Sequence, residues 1–229
     1  MSLKLGVPSK GRLMEQTFDW FGTRGVTLAR TGSDREYAAR VDGVSDIELV
    51  LLSAGEVPRE LSAGRIHLGV TGTDLVHEKL GAISDKVSVV SVMGFGHADL
   101  ILAVPQVWTD VETLDDLDAV AAAFRTKHGF RLRIATKYHR LVRDYLAAAG
   151  VADFQIVDSQ GATEGTVKNL TAEAIADITS TGETLRANHL KIINEVPILK
   201  SQATLFKSQT AAYGDVETAA LNALLSKIT

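Results

Sequence analysis

Ala174-Ile175-Ala176-Asp177-Ile178-Thr179-Ser180-Thr181-Gly182-Glu183-Thr184-Leu185 runs from an apolar segment, through hydroxyl residues around one glycine, into sequence of helical character. The apolar part reads as a buried strand, Ala174 to Ile178, and the change of period after it as the start of a helix. The same order recurs on either side. Arg133 to Ala135 is a strand, after which Tyr138, Leu141, Val142, Tyr145 and Leu146 repeat at helical spacing until Gly150; Phe154 to Val157 is strand again. Val87 to Val92 and Leu100 to Val104 are strands separated by Gly94-Phe95-Gly96, followed by a helix with Leu114, Leu117, Val120, Ala121 and Phe124 on its inner face. Ile47 to Leu52 and Leu68 to Val70 are buried runs, each leading into helix-compatible sequence. At the start, Leu3 to Val7 precedes a helical face of Leu13, Met14, Thr17, Phe18 and Phe21. β-like sequence lies between Leu190 and Phe206, and a last apolar helix from about Val216 to Ile228. Such alternation predicts an α/β fold with largely parallel sheets. The glycine pair at 94 and 96 is the best hinge. It predicts one domain from 1 to 94 that is rejoined at about 180 to 229, a second from about 95 to 179, and a ligand cleft between the two.

Composition narrows the function. The 229 residues are 45% hydrophobic and 23% charged, as in a globular enzyme. A net charge of -4 argues against nucleic-acid binding, which wants a basic excess, but leaves room for phosphorylated metabolites. With no cysteine there is no disulfide, thiolate metal site or thiol nucleophile. No apolar stretch is long enough for a membrane helix, and the N-terminus lacks the apolar core of a signal peptide, so a cytoplasmic protein is expected. The six histidines show no metal-binding spacing. Neither a Gly-x-Ser-x-Gly elbow nor a P-loop motif is present.

Three loops carry the chemistry. A phosphate monoester needs inward N–H groups, small side chains and hydroxyl donors, and Ser180, Thr181, Gly182 and Thr184 supply these without a lysine. Asp177 can then accept from ribose hydroxyls. Helix capping alone would also favour Ser and Thr at such a place. In Pro8-Ser9-Lys10-Gly11-Arg12-Leu13, two cations flank a glycine at a strand-to-helix junction and would attract an anion; solvated cations are the plain alternative. In Gly69-Val70-Thr71-Gly72-Thr73-Asp74, Asp74 is the expected N-cap, while Thr71 and Gly72 let backbone approach a base or phosphate. Together the loops predict a site for nucleotide and phosphate groups.

In this order the motifs resemble the ATP phosphoribosyltransferase family over roughly residues 3 to 206. Lys10-Gly11-Arg12-Leu13, Val57-Pro58, Leu68 to Asp74 and Arg133-Ile134-Ala135-Thr136-Lys137-Tyr138 are similar to its segments. Asp177 to Gly182 with Thr184-Leu185-Arg186-Ala187-Asn188 resembles its phosphoribosyl diphosphate loop. The resemblance implies two lobes like type II periplasmic binding proteins, with mixed, mostly parallel sheets. It implies transfer of the 5-phosphoribosyl group from phosphoribosyl diphosphate to N1 of ATP, opening histidine biosynthesis, with Mg²⁺ brought by the substrate and no metal ligand from the protein. Arg12, and Arg35 within Ser33-Asp34-Arg35-Glu36, would be the catalytic cations. Lys10, Gly11, Arg12, Thr71, Gly72, Thr73 and Asp74 would bind the ATP and pyrophosphate ends. Glu164, Asp177, Thr179, Ser180, Thr181, Gly182, Glu183 and Thr184 would bind phosphoribosyl diphosphate. The chain departs from the family pattern at Ser53, commonly arginine, at Glu56, commonly aspartate, and at Gly161 to Val167, where Gly161 and Glu164 persist. The resemblance further implies the short form, a homodimer joined in a hetero-oligomer to a regulatory subunit similar to histidyl-tRNA synthetase. A non-catalytic small-molecule-binding or effector-sensing domain of the same fold is the competing reading.

Overall fold

The computed structural model describes residues 2–30, 39–81 and 85–228. The chain divides into two units, Met1–His97 with Gln202–Thr229, and Ala98–Ser201. It therefore crosses from one to the other twice, and the return falls at Gln202 instead of near 180.

In the first unit β1 (Leu3–Pro8) enters α1 (Gly11–Gly22), and β2 (Thr27–Arg30) pairs antiparallel with β3 (Ala39–Asp42). Next come β4 (Ile47–Leu52), α2 (Val57–Ser62), β5 (Leu68–Gly72), α3 (Thr73–Leu80) and β6 (Val87–Val92). The second unit begins with β7 (Ala98–Pro105) and α4 (Leu114–His128), then β8 (Leu132–Thr136), α5 (His139–Ala148), β9 (Phe154–Asp158) and α6 (Gly165–Lys168). It continues with β10 (Ala174–Thr179), α7 (Glu183–Ala187), β11 (Leu190–Ile192) and β12 (Leu199–Ser201), before β13 (Ala203–Ser208) and α8 (Asp215–Ile228) complete the first unit. The late return follows from pairing. β11 and β12 both add antiparallel to β7, so the segment from 190 to 201 belongs to the second sheet.

Both sheets are mixed. In the order β4-β1-β5-β13-β6, β1 is parallel to β4 and β5, whereas β13 is antiparallel to β5 and β6. In the order β11-β7-β10-β8-β9, β8 is parallel to β9 and β10, whereas β7 is antiparallel to β10 and β11. Parallel pairing is confined to the strand–helix–strand runs, where a helix makes the crossover. It is not the majority arrangement expected from the sequence, because β7 and β13, the strands that follow the two crossings, each run against both neighbours.

Leu3, Leu5 and Val7 are fully buried in the first core with Trp20, Phe21, Leu205 and Leu224. The helix α8 packs there too: Ala220, Leu221, Leu224 and Ile228 are buried, Leu225 packs against them, and Val216 stays 44% exposed. Most of its apolar residues thus dock on their own unit. Ile101, Ala135, Ile175, Leu185 and Leu190 cluster in the second unit. Among the described residues no helix is long and apolar enough to cross a membrane.

Candidate active site

In the second unit β9, β8 and β10 are parallel neighbours, so the loops after their carboxyl ends share one edge of the sheet. The loop after β10 is braced from within. Gly182 N donates to Thr179 Oγ1 at 2.9 Å, and Glu183 N to Thr181 Oγ1 at 3.3 Å. Each hydroxyl accepts in these bonds and keeps its proton as a donor for something outside the loop. Gly182 sits at φ +68°, in the left-handed region glycine adopts freely; a Cβ there would lie 3.1 Å from a terminal nitrogen of Arg186. That guanidinium, one helical turn further on, donates to Thr181 O at 3.1 Å.

Glu164, Asp177, Thr179, Ser180, Thr181 and Thr184 line a cavity of about 270 Å³, floored by Ile175, Ile178 and Leu185. The lining holds four hydroxyls and two carboxylates and no lysine or arginine. Its volume lies below the roughly 300–1,000 Å³ of drug-sized ligands and suits a sugar phosphate. Asp177 Oδ1 accepts from Ile178 N at 2.8 Å, which leaves the other carboxylate oxygen for a sugar hydroxyl. Glu164 stands at the start of α6, beside Thr163, whose buried hydroxyl accepts from Ser159 Oγ at 3.1 Å. Six of the eight residues assigned to this ligand from the sequence thus converge. Gly182 is buried and shapes the turn, and Glu183 is exposed outside the cavity.

In the first unit β4, β1 and β5 are parallel in that order, which brings the loops after Leu52, Pro8 and Gly72 to one edge. Lys10, Gly11 and Arg12 are exposed there. Lys10 precedes α1 in extended conformation with no side-chain cap, Gly11 turns at φ +74°, and the first turn holds no acidic residue. Thr71 is fully buried and donates to Ala54 O at 2.8 Å; Thr73 donates from both N and Oγ1 to Gln202 O at 3.1 Å. These hydroxyls hold the edge together. Asp74 is not the N-cap: Gly72 takes that position, and the carboxylate lies buried one residue inside α3. Arg35 lies outside the described residues.

The departure at Ser53 has a local explanation. Ser53 donates its amide and hydroxyl to Glu56 Oε2, at 3.0 and 2.7 Å, and Glu56 N donates back to Ser53 O at 2.9 Å. This reciprocal arrangement closes the turn that leads into α2, whose N-cap position Glu56 takes without a side-chain cap. The Ser53 hydroxyl, then its amide, hold the Glu56 carboxyl below the usual range. A residue missed from the sequence is Arg30, at the end of β2, which donates to Ser9 O. Nothing in its spacing from Lys10 announces this, since β2 pairs with β3 and not with the parallel strands. Arg186 was readable, four residues after Gly182 on one helix.

A family model described as HisG, ATP phosphoribosyltransferase, matches residues 53–229. An ATP phosphoribosyltransferase of Cereibacter sphaeroides is 71% identical over 215 residues, covering 94% of this chain and 91% of that protein. One from Brucella suis is 49% identical over 210 residues, covering 91% of each. Among solved structures, a chain of the ATP phosphoribosyl transferase (HisG:HisZ) complex from Thermotoga maritima matches with TM-score 0.73 at 23% identity, over 99% of this chain and 95% of that one. The GluR0 ligand binding core in complex with L-glutamate matches with TM-score 0.52 at 12% identity, over 100% and 94%. At those identities the likeness is one of fold, the two-unit α/β fold that periplasmic binding proteins share. The sequence matches carry more, and by them the chain belongs to the ATP phosphoribosyltransferase family.

Proposed function

We propose that this protein transfers the 5-phosphoribosyl group of phosphoribosyl diphosphate to N1 of ATP, releasing pyrophosphate, in the first step of histidine biosynthesis. Family membership supports the reaction, and the hydroxyl-lined cavity after β10 carries the assignment of the sugar phosphate. In this reading Ser180, Thr181 and Thr184 donate to the 5′-phosphate, and Asp177 accepts from the ribose. The absence of lysine and arginine from the lining fits a ligand held by neutral donors, while cations elsewhere take the leaving group.

The N1 lone pair of adenine forms the new bond at C1, and the C1–O bond breaks with its electrons leaving on pyrophosphate. Attack opposite the leaving group inverts C1. The barrier lies in charge separation, which Lys10 and Arg12 offset by facing the departing oxygens; the family resemblance adds Arg35 as a further cation. Single donors of this kind are worth roughly 10²–10³ in rate in other enzymes. Mg²⁺ carried by the diphosphate would supply further neutralisation there.

A homodimer that joins a regulatory subunit similar to histidyl-tRNA synthetase, in the cytoplasm, completes the proposal; the HisG:HisZ complex supplies its precedent at the level of fold. Incubation with phosphoribosyl diphosphate and each nucleotide in turn, with measurement of pyrophosphate, tests the activity. ATP-dependent release is expected. Tight binding of phosphoribosyl diphosphate without release for any nucleotide would identify a binding domain of the same fold instead.

A further inference from the structure

Ser9, the residue between β1 and the Lys10-Gly11-Arg12 turn, is held from two sides. Its N–H donates to Leu52 O at 2.7 Å, and its carbonyl accepts from the Arg30 guanidinium. Beyond it, Lys10 has no side-chain cap and Gly11 takes a positive φ, so the turn has little of its own to fix it. The ion pairs among the described residues include none of Lys10, Arg12 and Arg30. Three cations thus collect around one turn with no carboxylate partner among the described residues. Arg30 is half-buried, and its Nε is buried with no hydrogen-bond partner. A side chain kept only for packing gains nothing from a buried, unpaired donor beside two like charges. An anion of several charges reverses that balance.

We infer that Arg30 is a positioning residue for the pyrophosphate end of the site: it fixes the Ser9 carbonyl, so that Lys10 and Arg12 face the polyanion, and adds its own positive charge behind them. The inference rests on the proposed reaction. Arg30 touches Ser9 and not the reacting atoms, so its loss acts through the turn. The expected signature is weakened pyrophosphate binding and slower turnover, with the affinity for phosphoribosyl groups in the β10 cavity of the other unit little changed.

The test is calorimetric titration of Mg²⁺-pyrophosphate and of ribose 5-phosphate into the wild-type chain, Arg30→Ala and Arg30→Lys, with circular dichroism of each. Arg30→Ala is expected to weaken pyrophosphate about tenfold or more and ribose 5-phosphate less than twofold. Arg30→Lys, which keeps the charge and can reach a carbonyl, recovers part of the loss. Folded variants that bind pyrophosphate as the wild type does overturn the inference and leave the reaction standing. Should Arg30→Ala not fold, a folded Arg30→Lys with both affinities unchanged overturns it equally, and one with pyrophosphate alone weakened supports it. A wild-type chain that takes up neither ligand overturns the reaction and the inference together.

Discussion

The Arg186 guanidinium lies against the turn that it braces, donating to Thr181 O at 3.1 Å while Gly182 passes beside it without a Cβ. The loop after β10 is therefore a unit closed by its own helix. Arg186→Ala is expected to loosen it and raise the Michaelis constant for phosphoribosyl diphosphate about tenfold, since a bond to a charged group is worth about 1.5–3 kcal/mol. Gly182→Ala should act in the same direction, through strain at φ +68° and crowding of Arg186. Steady-state kinetics with each substrate varied checks this. A rise in the ATP constant alone would place the two substrates the other way round.

Arg12 is exposed in the first turn of α1 and contributes nothing to the core. Arg12→Ala should lower turnover by roughly 10²–10³ and leave the melting temperature within a degree or two of wild type. Arg35→Ala is expected to match it in rate. Unchanged turnover in the folded variants would remove these cations from the reaction.

Glu60 sits between Arg65 and Arg59, and its hydrogen bond from Arg65 holds its carboxyl down to about 2 from 4.5. Because the folded-state value is depressed, the stability it contributes is present above about 4.5 and is lost as pH falls toward 2. Both arginines are mostly exposed, so solvent screening limits the contribution to about 1 kcal/mol. Urea unfolding of Glu60→Gln against wild type should show that difference at pH 7 and its disappearance near pH 2 to 3. A difference that grew on acidification would contradict the pairing.

Tyr213 OH lies 3.0 Å from both His67 O and Ser208 O, and burial pushes its hydroxyl up to about 12. Tyr213→Phe removes this hydroxyl donor, while His67 O keeps the Ser208 N–H at 2.8 Å, and should cost about 1–2 kcal/mol. His67 is fixed in the same cluster: Nδ1 accepts from Lys4 N at 2.9 Å, so Nε2 carries the proton toward Ala212 O at 3.1 Å. Chemical denaturation with activity measured in parallel checks this, and loss of activity without loss of stability would mean a different role.

The strands and long helices were legible because each apolar run is bounded by a glycine, proline or change of period; β10 and the loop after it are the clearest case. The β2–β3 pair was not, since Thr27 to Arg30 and Ala39 to Asp42 carry too few apolar residues to stand out. The residues of the cavity after β10 lie close together in sequence, its lining being nearly contiguous from Asp177 to Thr184. The first unit's edge was read less well. The bonds of Thr71 to Ala54 and of Thr73 to Gln202 join residues far apart in sequence, and periodicity carries no information about them. Arg30 at Ser9 was hidden for the same reason.

The interior position of β13, between β5 and β6, bears on the order in which the chain can fold as it emerges from the ribosome. Residues 98–201 are contiguous and can collapse as soon as they are made. The first sheet has no such freedom: β6 joins it only through β13, which is synthesised more than a hundred residues later and pairs Thr204 with both Thr71 and Val92. Until then β5 and β6 each present an unpaired edge, open to wrong partners. The half that begins the chain is thus the half completed last, since its sheet closes only once Ala203–Ser208 is available to pair.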